Sequence, residues 1–258
     1  MLVAERYHKI VQLVNERGSI RVTELSEICG VTEETIRRDL DKLEAEGRLL
    51  RSHGGAVSVR DTQLETPYLE RETSNVDQKM EIAQEAVKHI LPGDRIVLDA
   101  SSTAWFMTRI LPDIPITVLT NSIKVALELS TKTKVEVIST GGILSPRSLS
   151  YVGPQAVKTL DTYHVDKAFI SSKGVHIQRG ISDSNELQAV VKQKMISITD
   201  KVFLLADYSK FNVQAFAKVS AWDDIDVVIT DHQTEEAYIQ GLKDTARSLT
   251  VIQTGSGK

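Results

Sequence analysis

The stretch Gly30-Val-Thr-Glu-Glu-Thr-Ile-Arg-Arg-Asp-Leu-Asp-Lys-Leu-Glu-Ala-Glu-Gly47 places Ile36, Leu40 and Leu43 on one apolar stripe and two adjacent arginines near its start. Thr32 stands where an N-cap belongs, and glycines punctuate both ends, so the segment predicts a helix. With the stripe turned to a core, Thr32, Glu34, Thr35, Arg37, Arg38 and Lys42 remain on the outer surface. Arginine there can bond guanine O6 and N7 in pairs, threonine can touch a thymine methyl, and either can hold a phosphate. The plainer alternative is a solvated face on which Glu34 and Asp39 pair with Arg38 and Lys42.

Upstream, Tyr7, Ile10, Val11 and Val14 recur at helical spacing before Gly18, and Thr23 offers an N-cap to a short helix through Cys29. A short helix, a glycine turn and a longer helix with exposed polar residues make a helix-turn-helix, whose second helix enters the major groove. Downstream, two extended runs around Gly54-Gly55 predict a hairpin, the wing of a winged helix, from which Arg51 and His53 reach DNA. His53 is equally well an ordinary loop residue.

The 258 residues carry a net charge of −4 and a pI near 5.9, which argues against nucleic acid only if charge is spread evenly. It is not: the N-terminal region is close to neutral and gathers Arg37, Arg38, Arg48 and Arg51. At 41% hydrophobic and 26% charged residues the composition is that of a globular protein. No run approaches the ~18 apolar residues of a membrane span, no leader pattern opens the chain, and a cytoplasmic location is expected. The single cysteine, Cys29, has no partner for a disulfide and no zinc-ligand spacing, and reads as a packing residue. No metal site or cofactor is expected.

Three regions follow: a winged helix-turn-helix over 1–57, a polar linker with Pro67 over 58–76, and an effector domain over 77–254, with a small polar tail from Gly255. In the third region, apolar runs at 95–99, 116–120, 135–139, 167–171, 202–206 and 227–230 alternate with helical segments. That pattern predicts a Rossmann-like, mostly parallel α/β fold with ligands at the carboxyl ends of the strands. Asp99, Ser101, Ser102 and Thr103, then Thr120, Asn121 and Ser122, Gly141 and Gly142, Lys173 and Gly174, and Asp207 and Lys210 gather at those ends. Hydroxyls and backbone N–H groups at helix starts bind oxyanions, and Asp99, Glu186 and Asp207 suit sugar hydroxyls. Lys173, Lys192 and Lys210 would hold a phosphate or pair with those carboxylates. Taken singly, the same residues are ordinary caps and turns, and Lys192 is as readily an ion pair of its own helix.

The segments Ser19-Ile-Arg-Val-Thr-Glu-Leu25, Thr35-Ile-Arg-Arg-Asp-Leu40 and Arg51-Ser-His-Gly-Gly-Ala56 resemble the N-terminal signature of the DeoR family of bacterial transcriptional regulators. Gly93-Asp-Arg-Ile-Val-Leu-Asp99, Leu119-Thr-Asn-Ser122, Val152-Gly-Pro154, Leu205-Ala-Asp207 and Ile229-Thr-Asp231 resemble its C-terminal effector domain, a relative of sugar-phosphate isomerases. The resemblance implies operator recognition by the third helix and a phosphorylated-sugar effector that relieves repression of a catabolic operon. A homo-oligomer, dimer or tetramer, on double-stranded DNA is expected because one winged helix reads only a few base pairs, and no membrane partner is expected. Ser101 and Ser171-Ser-Lys173 depart from the family's glycines, which leaves the pocket narrower or adds a hydroxyl contact. Two other classes stay open: a sugar-phosphate isomerase fused to a DNA-binding domain, using Glu186 or Asp99 as base with Lys192 or Lys210, and an architectural DNA-binding protein.

Overall fold

The computed structural model describes residues 2–17, 19–52, 54–57, 65–246 and 248–255, and the chain divides into two compact units, 1–65 and 66–258. Gly18, His53, residues 58–64 of the expected linker and residues 256–258 of the tail lie outside the described residues.

In the first unit, α1 (Val3–Arg17), α2 (Val22–Cys29) and α3 (Glu33–Ala45) enclose a core built on Ile10, Val14, Leu25, Ile36, Leu40 and Leu43. Thr32 caps α3 as expected, its hydroxyl accepting the Thr35 N–H at 3.3 Å. The turn before it is made by Gly30 in the left-handed region (φ 64°), a conformation glycine adopts without steric cost. Thr23, in contrast, is not a cap. The helix α2 already begins at Val22, after extended Arg21, and Thr23 lies inside its first turn.

The expected hairpin is present as β2 (Leu50–Ser52) and β3 (Gly55–Val57), but a third strand, β1 (Ser19–Arg21), pairs with β3 to give the order β1-β3-β2. This explains Gly55, since a Cβ there would lie 2.2 Å from the Ile20 carbonyl oxygen. Cys29 is buried in this core, and burial raises its thiol pKa, consistent with a packing role.

The second unit begins inside the expected linker, with α4 (Tyr68–Thr73) and α5 (Val76–Val87), and Tyr68 is buried in it. A polar stretch with proline reads as a linker, but here one aromatic side chain anchors it. Seven strands, β4 (Arg95–Leu98), β5 (Ile116–Thr120), β6 (Val135–Ser139), β9 (Val165–Ile170), β12 (Thr199–Leu205), β14 (Val227–Thr230) and β15 (Thr250–Gln253), form one parallel sheet in the order β15-β14-β12-β9-β4-β5-β6. Six were expected; β15 is the addition. Strand residues alternate between two cores: Ile96, Leu98, Phe169 and Phe203 on one face, Val97, Ala168, Ile170 and Leu204 on the other. The first core is covered by α5, α6 (Ser102–Ile110) and α7 (Ile123–Leu129), the second by α8 (Pro154–Leu160), α9 (Glu186–Ser197) and α10 (Glu236–Thr245).

Two small antiparallel additions escaped the sequence reading: β7 (Ile143–Ser145) with β8 (Ser150–Val152), and β10 (Gly174–His176) with β11 (Gly180–Asp183) and β13 (Ala217–Ser220). The chain runs outward from β4 through β5 to β6, then returns to β9 on the other side of β4 and continues outward through β12 and β14. The order therefore reverses between β4 and β9, which is where open parallel sheets leave a crevice at their carboxyl edge.

Candidate functional site

At that reversal, Asp99 follows β4 and is 1% exposed. Its oxygens accept the Ser101 N–H at 3.1 Å and, across the crevice, the Ser171 N–H at 2.9 Å. Lys192 reaches in from α9, donating to the Ser171 carbonyl at 2.7 Å and to Asp183 at 2.6 Å, with Asp99 at 3.4 Å. Burial alone lowers the pKa of such an ammonium; the carboxylates of Asp183 and Asp99 outweigh it, and the net shift is upward. Lys192 is thus no ion pair of its own first turn, and Asp183, which the sequence reading missed, is its nearest partner. Glu186, expected beside it, is instead exposed in the first turn of α9.

Two strands along, Asp207 follows β12, is 1% exposed, and accepts N–H groups from Asn75 and Ser209 on one oxygen, each at 3.1 Å. Its other oxygen is buried without a hydrogen-bond donor, and Lys210 stands 3.9 Å away. On the opposite flank, after β5, Thr120 donates to the Leu98 carbonyl and Ser122 caps α7. Asn121 donates to the Tyr151 carbonyl at 3.0 Å, and its own carbonyl oxygen is buried with no donor. Such unpaired buried acceptors are costly, and a bound molecule carrying hydroxyls is one way to satisfy them.

Other expected residues are committed to the fold. The Ser101 hydroxyl accepts the Ala104 N–H at 3.1 Å as the cap of α6, so its departure from glycine serves the helix. Ser102 and Thr103 are buried in the first turn of α6. Gly142 (φ 116°) packs so closely on β8 that a Cβ would meet the Val152 carbonyl oxygen at 2.8 Å, and Gly141 turns the chain beside it. Gly174 likewise faces the Val213 carbonyl, 2.4 Å from a Cβ. Lys173 is half-buried and donates to Thr66 at 3.1 Å; burial first, then Lys210, lowers its pKa.

One cation was not anticipated. Lys79 on α5 is 3% exposed and donates only to neutral groups, the carbonyls of Arg71 and Ser74 and the Ser74 hydroxyl. Burial, opposed by Asp207 and reinforced by Lys210 and Arg71, lowers its pKa to about 8. Around Lys79, Lys173 and Lys192 stand Arg71 and Lys210 and the carboxylates of Asp99, Asp183 and Asp207, with buried Asp231 beside Asp207.

In the first unit the exposed face of α3 carries Thr32, Glu34, Arg37, Arg38 and Lys42, with Thr35 half-buried. Arg37 is held by Glu33 at 2.7 Å, whereas Arg38 is 78% exposed with Glu34 at 3.4 Å. Asp39 is not on this face. It is buried and paired through both oxygens with Arg6 of α1, at 2.6 and 3.2 Å. Arg51 folds back onto α3, donating to the Arg37 carbonyl at 2.9 Å and to Asp41 at 2.8 Å. Among the described residues no helix is long and apolar enough to cross a membrane, and no cluster of metal-binding side chains occurs.

Residues 6–62 match the model of the DeoR-like helix-turn-helix domain, and residues 74–232 that of the DeoR C terminal sensor domain. The chain is 53% identical to the HTH-type transcriptional regulator YulB of Bacillus subtilis, over 98% of each chain. It is 33% identical to the HTH-type transcriptional repressor GlcR of the same organism, over 100% of each. With the L-fucose operon activator of Haemophilus influenzae it shares 37% identity, over 86% of this chain and 89% of that one. Among solved structures, ribose 5-phosphate isomerase A from Methanocaldococcus jannaschii is similar with a TM-score of 0.41 and 21% identity, over 54% of this chain and 55% of that chain.

Proposed function

Because this chain belongs to the DeoR family of transcriptional regulators, we propose that it represses a carbohydrate-catabolism operon and releases its operator when a phosphorylated sugar binds at the strand ends of the second unit. Among its relatives one is named an L-fucose operon activator and another a putative aga operon transcriptional repressor, so the sign of regulation rests on the proposal. The observation that carries the effector class is the gathering of Lys79, Lys173, Lys192 and Lys210 beside buried carboxylates, at a sheet edge with unpaired acceptors. A phosphate dianion pairs with lysines and sugar hydroxyls donate to the acceptors. Asp99, with both oxygens already accepting N–H groups and Lys192 beside it, serves as an organiser of the crevice rather than as a base.

Thermal unfolding followed by tryptophan fluorescence tests this, because both tryptophans, Trp105 and Trp222, lie in the second unit. Against hexose 1- and 6-phosphates, pentose 5-phosphates and their parent sugars, one phosphate should raise the midpoint while its parent sugar does not. Its affinity should fall as pH rises through about 8, where Lys79 loses its charge, while a phosphate monoester stays ionised above ~6. Lys79→Met should flatten that dependence. A midpoint unmoved by the whole panel contradicts the effector class.

In the first unit, Arg38 is the more exposed of the two arginines on α3, 78% against 49% for Arg37, and Arg38→Ala should weaken operator binding by about 1–3 kcal/mol if it reads a guanine, with sugar-phosphate affinity unchanged. Gel-shift titration on the chain's own upstream DNA reads the effect. Unaltered operator affinity would remove Arg38 from the recognition surface. Two copies on linked half-sites give the affinity that one winged helix lacks, so a homo-oligomer is part of the proposal.

A further inference from the structure

The connection between the units enters the second one as segment 66–79, and its side chains are tied to the strand-end groups themselves. Lys173, after β9, donates to Thr66 at 3.1 Å. Asn75, held in the left-handed region (φ 49°) between α4 and α5, donates to Asp207 at 3.1 Å and to Ser209 at 3.2 Å. Tyr68, 1% exposed, is fixed by its N–H to the Arg147 carbonyl at 2.7 Å, with the Arg71 guanidinium 5.3 Å from its ring centre. Its hydroxyl is buried with no hydrogen-bond partner.

A tyrosine hydroxyl is normally satisfied when buried, and this one lies within the electrostatic reach of Asp99. Resting on the effector reading above, we infer that segment 66–79 is one wall of the sugar-phosphate site, with the Tyr68 hydroxyl as a ligand contact and the Lys173–Thr66 hydrogen bond as the element that ligand binding exchanges. A phosphate attracts the Lys173 ammonium more strongly than the neutral Thr66 hydroxyl does, because opposite full charges add a Coulomb attraction that a neutral acceptor lacks. Binding therefore withdraws Lys173 from Thr66 and gives Tyr68 the partner it lacks. The residue released, Thr66, is where the chain passes to the DNA-binding unit, so occupancy is reported to that unit through the covalent connection. The coupling is no larger than the difference in ligand affinity between the two arrangements of this segment.

Two variants of the full chain separate a ligand contact from a packing role, with glucose 6-phosphate, fructose 1-phosphate and inorganic phosphate as probes. Tyr68→Phe deletes an unpaired hydroxyl, so the unliganded midpoint should stay level or rise, while the tightest-binding probe should bind roughly tenfold more weakly. Thr66→Val should keep or improve probe affinity, since Lys173 no longer has to leave a partner, and should reduce the effect of the probe on operator binding. Should Tyr68→Phe prove too unstable to compare, hydrogen exchange of the wild-type amides over 66–75, with and without the probe, decides: altered protection is expected and unaltered protection overturns the inference. Wild-type binding with unchanged affinity in Tyr68→Phe also overturns it while leaving the effector reading intact. Absence of wild-type binding across the wider sugar-phosphate panel overturns the effector reading itself.

Discussion

Lys192→Met is expected to destabilise the second unit by about 3–5 kcal/mol, because removing one partner of a buried ion pair leaves uncompensated charge. Here it leaves two carboxylates, Asp183 at 2.6 Å and Asp99 at 3.4 Å, and it strips the Ser171 carbonyl of its donor. Urea unfolding followed by tryptophan fluorescence isolates this unit and should show the midpoint falling with the slope unchanged. The triple variant Lys192→Met, Asp183→Asn, Asp99→Asn should recover part of the loss, since the stranded charges go with it. Both proteins should lose the sugar-phosphate response, because Lys192 no longer ties Asp99 and Asp183 to the Ser171 carbonyl at the crevice. A Lys192→Met midpoint within about 1 kcal/mol of wild type would mean that the ammonium is solvated and the crevice open to water at that point.

The mirror experiment is Asp39→Ala. It strands one charge, the Arg6 guanidinium, where Lys192→Met strands two carboxylates, so about 2–3 kcal/mol is expected. That is a large fraction of the stability available to a unit of this size, at roughly 0.05–0.15 kcal/mol per residue. Because the pair clamps α1 to the recognition helix, operator binding should fall at least tenfold while the sugar-phosphate midpoint shift survives. Asp39→Leu with Arg6→Met should restore much of the binding, as apolar pairs of similar volume often replace buried ion pairs without loss. An Asp39→Ala protein with wild-type operator affinity would show that the clamp is dispensable.

These two ion pairs also mark where the sequence stops being legible. The six expected strands, the α3 stripe and the Thr32 cap are local patterns, set by residues at fixed short spacing, and each is found where expected. Asp39 looks like one more charge on a solvated helix until α1 brings Arg6 to it from 33 residues away. Lys192 has an acid of its own first turn at hand in Glu186, yet bonds Asp183 and approaches Asp99, because the strands that carry those residues are brought together only by the sheet order. Thr23 failed for a related reason, a capping residue type being a weak local signal that the extended Arg21 overrules; the polar, proline-containing stretch likewise gave no sign of which unit Tyr68 joins, and it is buried in the second. The short strands of the β10-β11-β13 sheet, three or four residues each, give too few alternations to be read. Arg51, expected to reach DNA, is tied to Asp41 and to the Arg37 carbonyl on α3, partners 10 and 14 residues away that its local sequence does not reveal.

The account rests on one coupling, and fluorescence anisotropy of the full-length protein on its own labelled upstream DNA measures it. With the sugar phosphate that raises the melting midpoint present at saturation, operator affinity should fall at least tenfold, equivalent to about 1.4 kcal/mol of coupling, and the parent sugar should leave it unchanged. Operator affinity that is indifferent to that sugar phosphate, or that rises with it, would contradict the account.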